Sequence, residues 1–286
     1  MIARSLLFVP GNNIRFMENS IKSNADILLP DVEDSVQPYT NKQVARDNII
    51  QFAKEGKFNG KMVFPRINAP DSGELINDIT QLAIDGISGF MYPKAKTGSD
   101  IYFFDKLLES IESQKNIPIG TFKIIPLIET AGAVLNAQDI CTASNRVVAI
   151  AYGCEDFITD LKGIHDVDDT SLFVPRAMIA MAARANNVIP IDTVHVNIND
   201  LDDLEKNLKV AKRLGFEGML SLHPKELPLI HQYFSPSDEE IENAKRIIQL
   251  YNESETSGKG VALFGDELIG PPMVKDAKNL LNKWIK

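Results

Sequence analysis

Along the chain, short runs rich in β-branched and aromatic residues alternate with longer stretches in which apolar positions recur every three or four residues. Parallel strands joined by helical crossovers produce that alternation. Eight runs stand out, at 5–9, 26–29, 62–65, 87–92, 122–128, 147–151, 188–192 and 217–222. Between them, Val44, Ile49 and Phe52, or Leu204, Leu208, Ala211 and Leu214, fall on one helical face and predict packing against a sheet. Thr40 with Gln43, Asp71 with Glu74, and Ser237 with Glu240 have the spacing of reciprocal helix N-caps. Eight strand–helix units predict an α/β fold closed into a (β/α)8 barrel. A polar, glycine-containing stretch at 254–260 then leads to a short strand at 261–264, a Gly/Pro turn and an amphipathic helix at 272–285. The expected organisation is a barrel over 1–253 and a C-terminal strand–helix extension over 254–286, capping the barrel or packing on a neighbouring subunit.

Composition narrows the partners. With 286 residues, 44% of them hydrophobic, the chain can bury a full core. A formal net charge of -9 opposes binding to nucleic acid or an anionic membrane, both of which need a cationic face. Apolar runs fall short of the roughly 20 residues that span a bilayer. The run after Arg4 is too short for a signal peptide, so a soluble, cytoplasmic protein is expected. Cys141 and Cys154 lack the number and spacing of a disulfide framework or a zinc site and are expected to be reduced and buried.

In such a barrel the reactive end is where strands finish and βα loops begin. Those positions are polar here. Asp31-Val-Glu33-Asp34 follows the second run, Arg66-Ile-Asn68 the third, Pro93-Lys94 the fourth, Glu129-Thr130 the fifth, Gly153 to Asp160 the sixth and His223-Pro224 the eighth. Glu129 and Asp156 end neighbouring strands, which lie roughly 4.8 Å apart. Two anions that close need a cation between them, or one of them gains a proton. A small set of hard oxygen donors suits Mg²⁺, which keeps waters and leaves room for substrate oxygens. The same spacing equally allows Glu129 to cap the following helix and Asp156 to pair with an arginine. Arg66 can fork two hydrogen bonds onto a carboxylate or enolate, or form a salt bridge with Asp31, Glu33 or Asp34. Arg4 and Lys94 are expected at the mouth, where they can meet phosphates or remain solvated. His223, next to Pro224, reads as part of a shaped turn.

In order along the chain stand Arg4-Ser-Leu-Leu-Phe-Val-Pro-Gly11, Asp31-Val-Glu-Asp-Ser-Val36, Phe64-Pro-Arg-Ile-Asn68, Pro93-Lys94, Ile128-Glu-Thr130 and Gly153-Cys-Glu-Asp-Phe157. Pro190-Ile-Asp-Thr193, Ser221-Leu-His-Pro224 and Phe234-Ser-Pro-Ser237 continue the series. Together they resemble the citrate lyase β-subunit-like group of the HpcH/HpaI aldolase superfamily over nearly the whole chain. The resemblance implies a TIM barrel, a homotrimer or hexamer, and Mg²⁺ on Glu129 and Asp156. It implies Arg66, Glu33 and Asp34 as catalytic residues, Arg66, Glu129 and Gly153 against the substrate, and Arg4 and Lys94 toward coenzyme A. The implied reaction is retro-Claisen cleavage of a citryl-, citramalyl- or malyl-CoA type thioester, on CoA or an acyl carrier. Its products are acetyl-CoA and a 2-oxo acid such as oxaloacetate or pyruvate. In this family the general base is an aspartate in the C-terminal tail, where this chain has Gly270 within Gly265-Asp-Glu-Leu-Ile-Gly-Pro-Pro272. Asp266 and Glu267 lie a few residues away. Two other activities share the expected residues: a hydroxyacyl-CoA thioesterase, which has no use for that aspartate, and a non-catalytic or partner-dependent lyase-like subunit.

Overall fold

Eight parallel strands, β1 (Ser5–Pro10), β2 (Ile27–Asp31), β3 (Met62–Val63), β4 (Gly89–Tyr92), β5 (Lys123–Ile128), β6 (Ala149–Tyr152), β7 (Ile189–Asp192) and β8 (Gly218–Ser221), pair in the order β3-β2-β1-β8-β7-β6-β5-β4. The structure, a computed structural model, describes residues 1–58, 60–164, 170–256 and 262–285. β3 is short because Pro65 has no N–H to continue the ladder. The seam between β3 and β4 is nevertheless bridged, since Arg66 pairs in parallel with both Asp31 and Met91 and the Met91 N–H donates to the Pro65 carbonyl at 3.0 Å. The expected barrel is thus closed, with Arg66 at its seam.

The helices on the outside are α1 (Ile14–Ile21), α2 (Asn41–Lys54), α3 (Leu75–Leu82), α4 (Gly98–Gln114), α5 (Ala131–Leu135), α6 (Ala137–Thr142), α7 (Cys154–Leu161), α8 (Thr170–Ala185), α9 (Leu201–Leu214) and α10 (Leu227–Phe234). Leu204, Leu208 and Ala211 on α9 are buried as expected, as are Ile49 and Phe52 on α2, whereas Val44, expected on the same face, is exposed because it stands five positions before Ile49 and is turned off that face. Strand alternation then decides what lies inside the barrel. Leu6, Ile27, Leu29, Phe64, Met91, Leu127, Ala151 and Leu220 fill the interior as one apolar cluster.

Ala3–His231 forms one compact unit and Gln232–Lys286 a second. The sequence pattern places the junction later, at 253/254. The helix α11 (Asp238–Thr256) instead belongs with the C-terminal hairpin β9 (Leu263–Phe264) and β10 (Glu267–Leu268) and with α12 (Pro271–Trp284). The cause is apolar burial: Ile247, Ile248 and Tyr251 of α11 pack with Ala262, Ile269 and Val274. Residues 257–261, which hold most of the expected linker and the first residue of the expected strand, lie outside the described residues.

Of the three expected capping boxes, the one at Ser237 and Glu240 forms, with both reciprocal bonds present. Thr40 makes no side-chain cap, and Asp71 falls inside a short 3-10 turn, Pro70–Ser72, ahead of α3. A box absent from the expected set, Thr97 with Asp100, starts α4. Among the described residues no helix is long and apolar enough to cross a membrane. Cys141 and Cys154 are buried thiols, each pushed up to about 12 by burial.

Candidate functional site

One step beyond the apolar interior, strand alternation brings a second layer of side chains inward. Asp31 follows Leu29, Arg66 follows Phe64, Glu129 follows Leu127 and Gly153 follows Ala151. These residues meet around a cavity of about 360 Å³ at the C-terminal end of the strands, lined also by Phe8, Asp34, Asp156, Val194 and Leu220. The reactive end expected from the strand-end sequences is therefore a real enclosure.

Arg66 organises one side of it. Its Nε donates to Asp31 Oδ1 at 2.8 Å and its Nη2 to Asp31 Oδ2 at 2.7 Å, a bidentate fork. Nη1 reaches Asp34 Oδ2 at 3.1 Å and Glu33 Oε2 at 3.2 Å. The guanidinium lies 4.9 Å from the centroid of Phe8, which holds it over the barrel interior. All three acids open to it from sequence are thus engaged, and it still lines the cavity. Burial raises the Asp31 carboxyl, but the charge and hydrogen bonds of Arg66 outweigh that and leave it below the usual carboxylate range. Glu33 is pushed up to about 8 by burial, which Arg66 opposes and the charges of Asp34 and Glu129 reinforce. Lys42, itself buried, donates to the carbonyls of Val32 and Glu33 at 3.0 and 3.1 Å and fixes the loop that carries these acids.

Glu129 occupies the facing wall and is only 2% exposed. It does not cap the helix that follows it, because Thr130 does that. Instead its Oε2 accepts the backbone N–H of Lys94 at 2.7 Å. Lys94 has φ 51°, a left-handed conformation rare outside glycine, at the position that makes this bond. The Glu129 carboxyl is pushed up to about 7, first by burial and then by the charge of Asp156, with the Lys94 N–H opposing. Asp156 sits in the first turn of α7, exposed at the cavity rim, with no arginine partner among the described residues. A buried carboxyl raised by a second carboxylate across a cavity is a site short of positive charge. Among the described residues no group of three or more His, Cys, Asp or Glu is arranged to enclose a metal. Two carboxylates with open coordination fit Mg²⁺, which is ordinarily held by one or two carboxylates together with waters and substrate oxygens.

Gly153, between β6 and α7, gives Glu129 its room. A Cβ there would lie 2.6 Å from Glu129 Cγ and 3.1 Å from its Oε1, while the backbone at φ -106° accepts any residue. Gly153→Ala is therefore expected to move the carboxylate rather than strain the chain. A misplacement of that order lowers turnover about 10²-fold, and a steady-state assay beside an unchanged circular dichroism spectrum would register it.

Two expected cations need revision. Arg4, expected at the mouth, precedes β1 at the opposite end of the barrel. There its Nε and Nη2 fork onto Asp26 at 2.8 and 2.7 Å. It is removed from the coenzyme-contacting set, because a residue that starts a parallel strand lies at the far end from the loops that follow it. Lys94 is at the mouth, but its Nζ leans to Glu33 Oε1 at 3.5 Å. His223 shapes a turn as expected, its side chain accepting the Lys225 N–H.

Sequence reasoning missed the wall formed by β7 and β8. The Thr193 hydroxyl accepts the Cys154 N–H at 3.1 Å, tying β7 to the start of α7. His195, 6% exposed, lies with Nε2 3.2 Å from Asp203 Oδ2 and Nδ1 3.8 Å from Glu226 Oε1, the second an ion-pair rather than a hydrogen-bond separation. Glu226 holds His195 above its ordinary value of 6.5, burial opposes this and Asp203 adds to it. A raised histidine contributes stability that is fully present below about 6.5 and is lost as pH rises through the folded value. The thermal midpoint should therefore fall as pH rises above about 6.5, with Glu33 and Glu129, pushed up to about 8 and about 7, adding to the fall, and His195→Gln should remove only the histidine's share. Continuing the strand alternation past residue 191 would have brought Thr193 to attention, whereas nothing in the sequence pairs His195 with Glu226.

Residues 4–224 match the model of the HpcH/HpaI aldolase/citrate lyase family. The chain belongs to that family. Citrate lyase subunit beta of Leuconostoc mesenteroides subsp. cremoris is 29% identical over 280 residues, 98% of this chain and 92% of that protein. The L-malyl-CoA/beta-methylmalyl-CoA lyase of Rhodobacter capsulatus is 27% identical, covering 98% of this chain and 94% of that enzyme. The Mycobacterium tuberculosis protein CitE, crystallised with magnesium, acetoacetate and coenzyme A, superposes with a TM-score of 0.74 at 25% identity, covering 98% of this chain and 97% of that one. A citrate lyase from Burkholderia xenovorans LB400 shares the fold with a TM-score of 0.87 at 18% identity, covering 99% and 92%.

Proposed function

We propose that this protein is a Mg²⁺-dependent carbon–carbon lyase that cleaves a 3-hydroxyacyl thioester to an acetyl thioester and a 2-oxo acid. The observation that carries the proposal is one cavity in which a buried, doubly anchored guanidinium, Arg66, shares the space with the charge-deficient pair Glu129 and Asp156. Related proteins named as citrate lyase beta subunit and malyl-CoA lyase, and a solved relative containing magnesium and coenzyme A, support it.

Glu129 and Asp156 would hold Mg²⁺, whose Lewis acidity would polarise the substrate's carboxylate and hydroxyl oxygens. Arg66 orients the oxo-acid end and stabilises negative charge as the bond breaks. Its anchoring by Asp31 means that little reorganisation is needed. Asp34 lines the cavity, whereas Glu33 pairs with Arg66 without lining it. Asp34 is accordingly assigned the proton-accepting role, and Glu33 sets the charge around the guanidinium. In the reaction the hydroxyl loses its proton and its electron pair forms the new C=O. The bond from the carbinol carbon to the adjacent CH₂ breaks, and the thioester enolate so formed takes one proton back. No oxidant or reductant is required.

A second apolar hollow, of about 420 Å³, shares Phe8, Pro10 and Leu222 with the cavity and continues past Phe16 to His223 and Pro224. It is assigned to the arm of the CoA or acyl-carrier thioester, and it replaces Arg4 in that role. Lys94, at the mouth and beside Glu33, keeps its proposed place toward the coenzyme. A homotrimer or hexamer, with the C-terminal unit packed on a neighbouring subunit, completes the reading.

Gly270 favours one second reading. It precedes α12, and the glycine there can transfer no proton, so water directed at the thioester would give a hydroxyacyl-CoA hydrolase. Product analysis after incubation with malyl-, citramalyl- and citryl-CoA separates the two. Acetyl-CoA with a 2-oxo acid supports cleavage, whereas CoA with an intact hydroxy acid means hydrolysis. Binding of 2-oxo acids without turnover of any thioester would mean a partner-dependent subunit.

A further inference from the structure

The cavity is polarised around its rim. Among the described residues the acids Asp31, Asp34, Glu129, Glu155 and Asp156 line it from the β2, β5 and β6 sides together with the guanidinium of Arg66, and Lys94 lies within electrostatic reach of Asp34, Glu129 and Asp156. Phe8, Val194, Val196, Leu220 and Leu222, from the β1, β7 and β8 sides, close it with apolar surface. Leu127 lies beneath Glu129 on the same face of β5 and joins the apolar barrel interior. Arg66 is engaged by Asp31, Glu33 and Asp34, and Lys94 leans to Glu33, so both cations are held on the acidic side, and the wall of Leu127, Val194 and Leu220 is apolar.

Resting on the lyase reading above, we infer that the 2-oxo acid fragment bears an uncharged short substituent, a methyl group in preference to a carboxymethyl group. In a substrate of the form R–C(OH)(COO⁻)–CH₂–CO–S–carrier, the hydroxyl and carboxylate face the Glu129 and Asp156 side. The thioester arm leaves by the Phe8, Pro10 and Leu222 hollow. The group R is then directed to the surface formed by Leu127, Val194 and Leu220. A methyl group there gains apolar burial. A second carboxylate there would lose hydration against Leu127, Val194 and Leu220, side chains that offer it neither a hydrogen bond nor an opposite charge.

The substrate class is therefore the thioester that releases pyruvate rather than the one that releases oxaloacetate, although citrate lyase beta subunits are among this chain's relatives. One missing or added apolar carbon discriminates about 10-fold or more in an enclosed pocket, and an unpaired charge discriminates further.

Two measurements test the inference. With Mg²⁺ present, calorimetric titration of the full chain should show pyruvate binding at least about 10-fold more tightly than freshly dissolved oxaloacetate. Citramalyl-CoA should exceed citryl-CoA by a similar factor in kcat/KM. Val194→Lys, which places a cation on the apolar wall, should narrow or invert the binding ratio. Equal affinities, no binding of either acid, or preference for oxaloacetate overturns the inference. Citryl-CoA cleaved faster than citramalyl-CoA overturns it while leaving the lyase reading intact. Tighter pyruvate binding without cleavage of any thioester supports the pocket assignment and sinks the lyase reading instead.

Discussion

Replacing Glu129 by Gln and Asp156 by Asn together is expected to abolish Mg²⁺-dependent cleavage, lowering kcat/KM by about 10³-fold or more. Lewis-acid stabilisation of developing charge contributes several kcal/mol to a barrier, and each ~1.4 kcal/mol is a factor of ten. The substitutions keep side-chain size, so the barrel should persist. Stability gives a second, independent readout. Burial and the neighbouring Asp156 push Glu129 up to about 7, so at pH 8 without metal its charged form opposes folding. Removing that charge should raise the thermal midpoint of the metal-free protein. It should also erase the further rise that Mg²⁺ gives the wild type. A variant that loses activity yet is still stabilised by Mg²⁺ would place the metal elsewhere.

The second large effect is expected at Arg66. Arg66→Met should lower kcat/KM by roughly 10² to 10³-fold, the usual consequence of removing a preorganised donor to developing negative charge. It should also destabilise the protein by roughly 3–5 kcal/mol, because a buried charge is left without its partner. That partner is Asp31, 1% exposed and held below its usual range chiefly by Arg66 against the effect of burial. Adding Asp31→Asn to Arg66→Met should recover much of the stability, as measured by urea unfolding, and none of the turnover. If the double variant regained activity, Arg66 would be part of the barrel seam and not of the chemistry.

The barrel was legible because strand formation leaves a local pattern. All eight expected runs became strands, shifted by only a residue or two at their ends where prolines such as Pro65 interrupt pairing. Glu129, Asp156 and Arg66 were legible because position at a strand end nearly determines proximity to the cavity. The same rule would have placed Arg4 correctly, since that residue starts a strand rather than ending one. Other features had no local trace. That Arg66 forks onto Asp31, rather than onto Glu33 or Asp34, depends on residues 35 apart meeting at the seam, and the pairing of His195 with Glu226 depends on how two loops fold together. The left-handed backbone of Lys94 is set by tertiary packing and not by any residue preference. The end of the barrel unit was misplaced for a related reason. α11 has the length and face of another barrel helix, and only its packing partners distinguish it.

Metal dependence of carbon–carbon cleavage is the central claim, and one assay reaches it directly. The purified full chain, stripped with EDTA, is incubated with citramalyl-CoA before and after Mg²⁺ is restored, with pyruvate and acetyl-CoA measured together. Equimolar formation of both products, absent in EDTA and recovered with Mg²⁺, is the expected result. Undiminished cleavage in EDTA would contradict it, as would Mg²⁺-dependent release of CoA with citramalate intact.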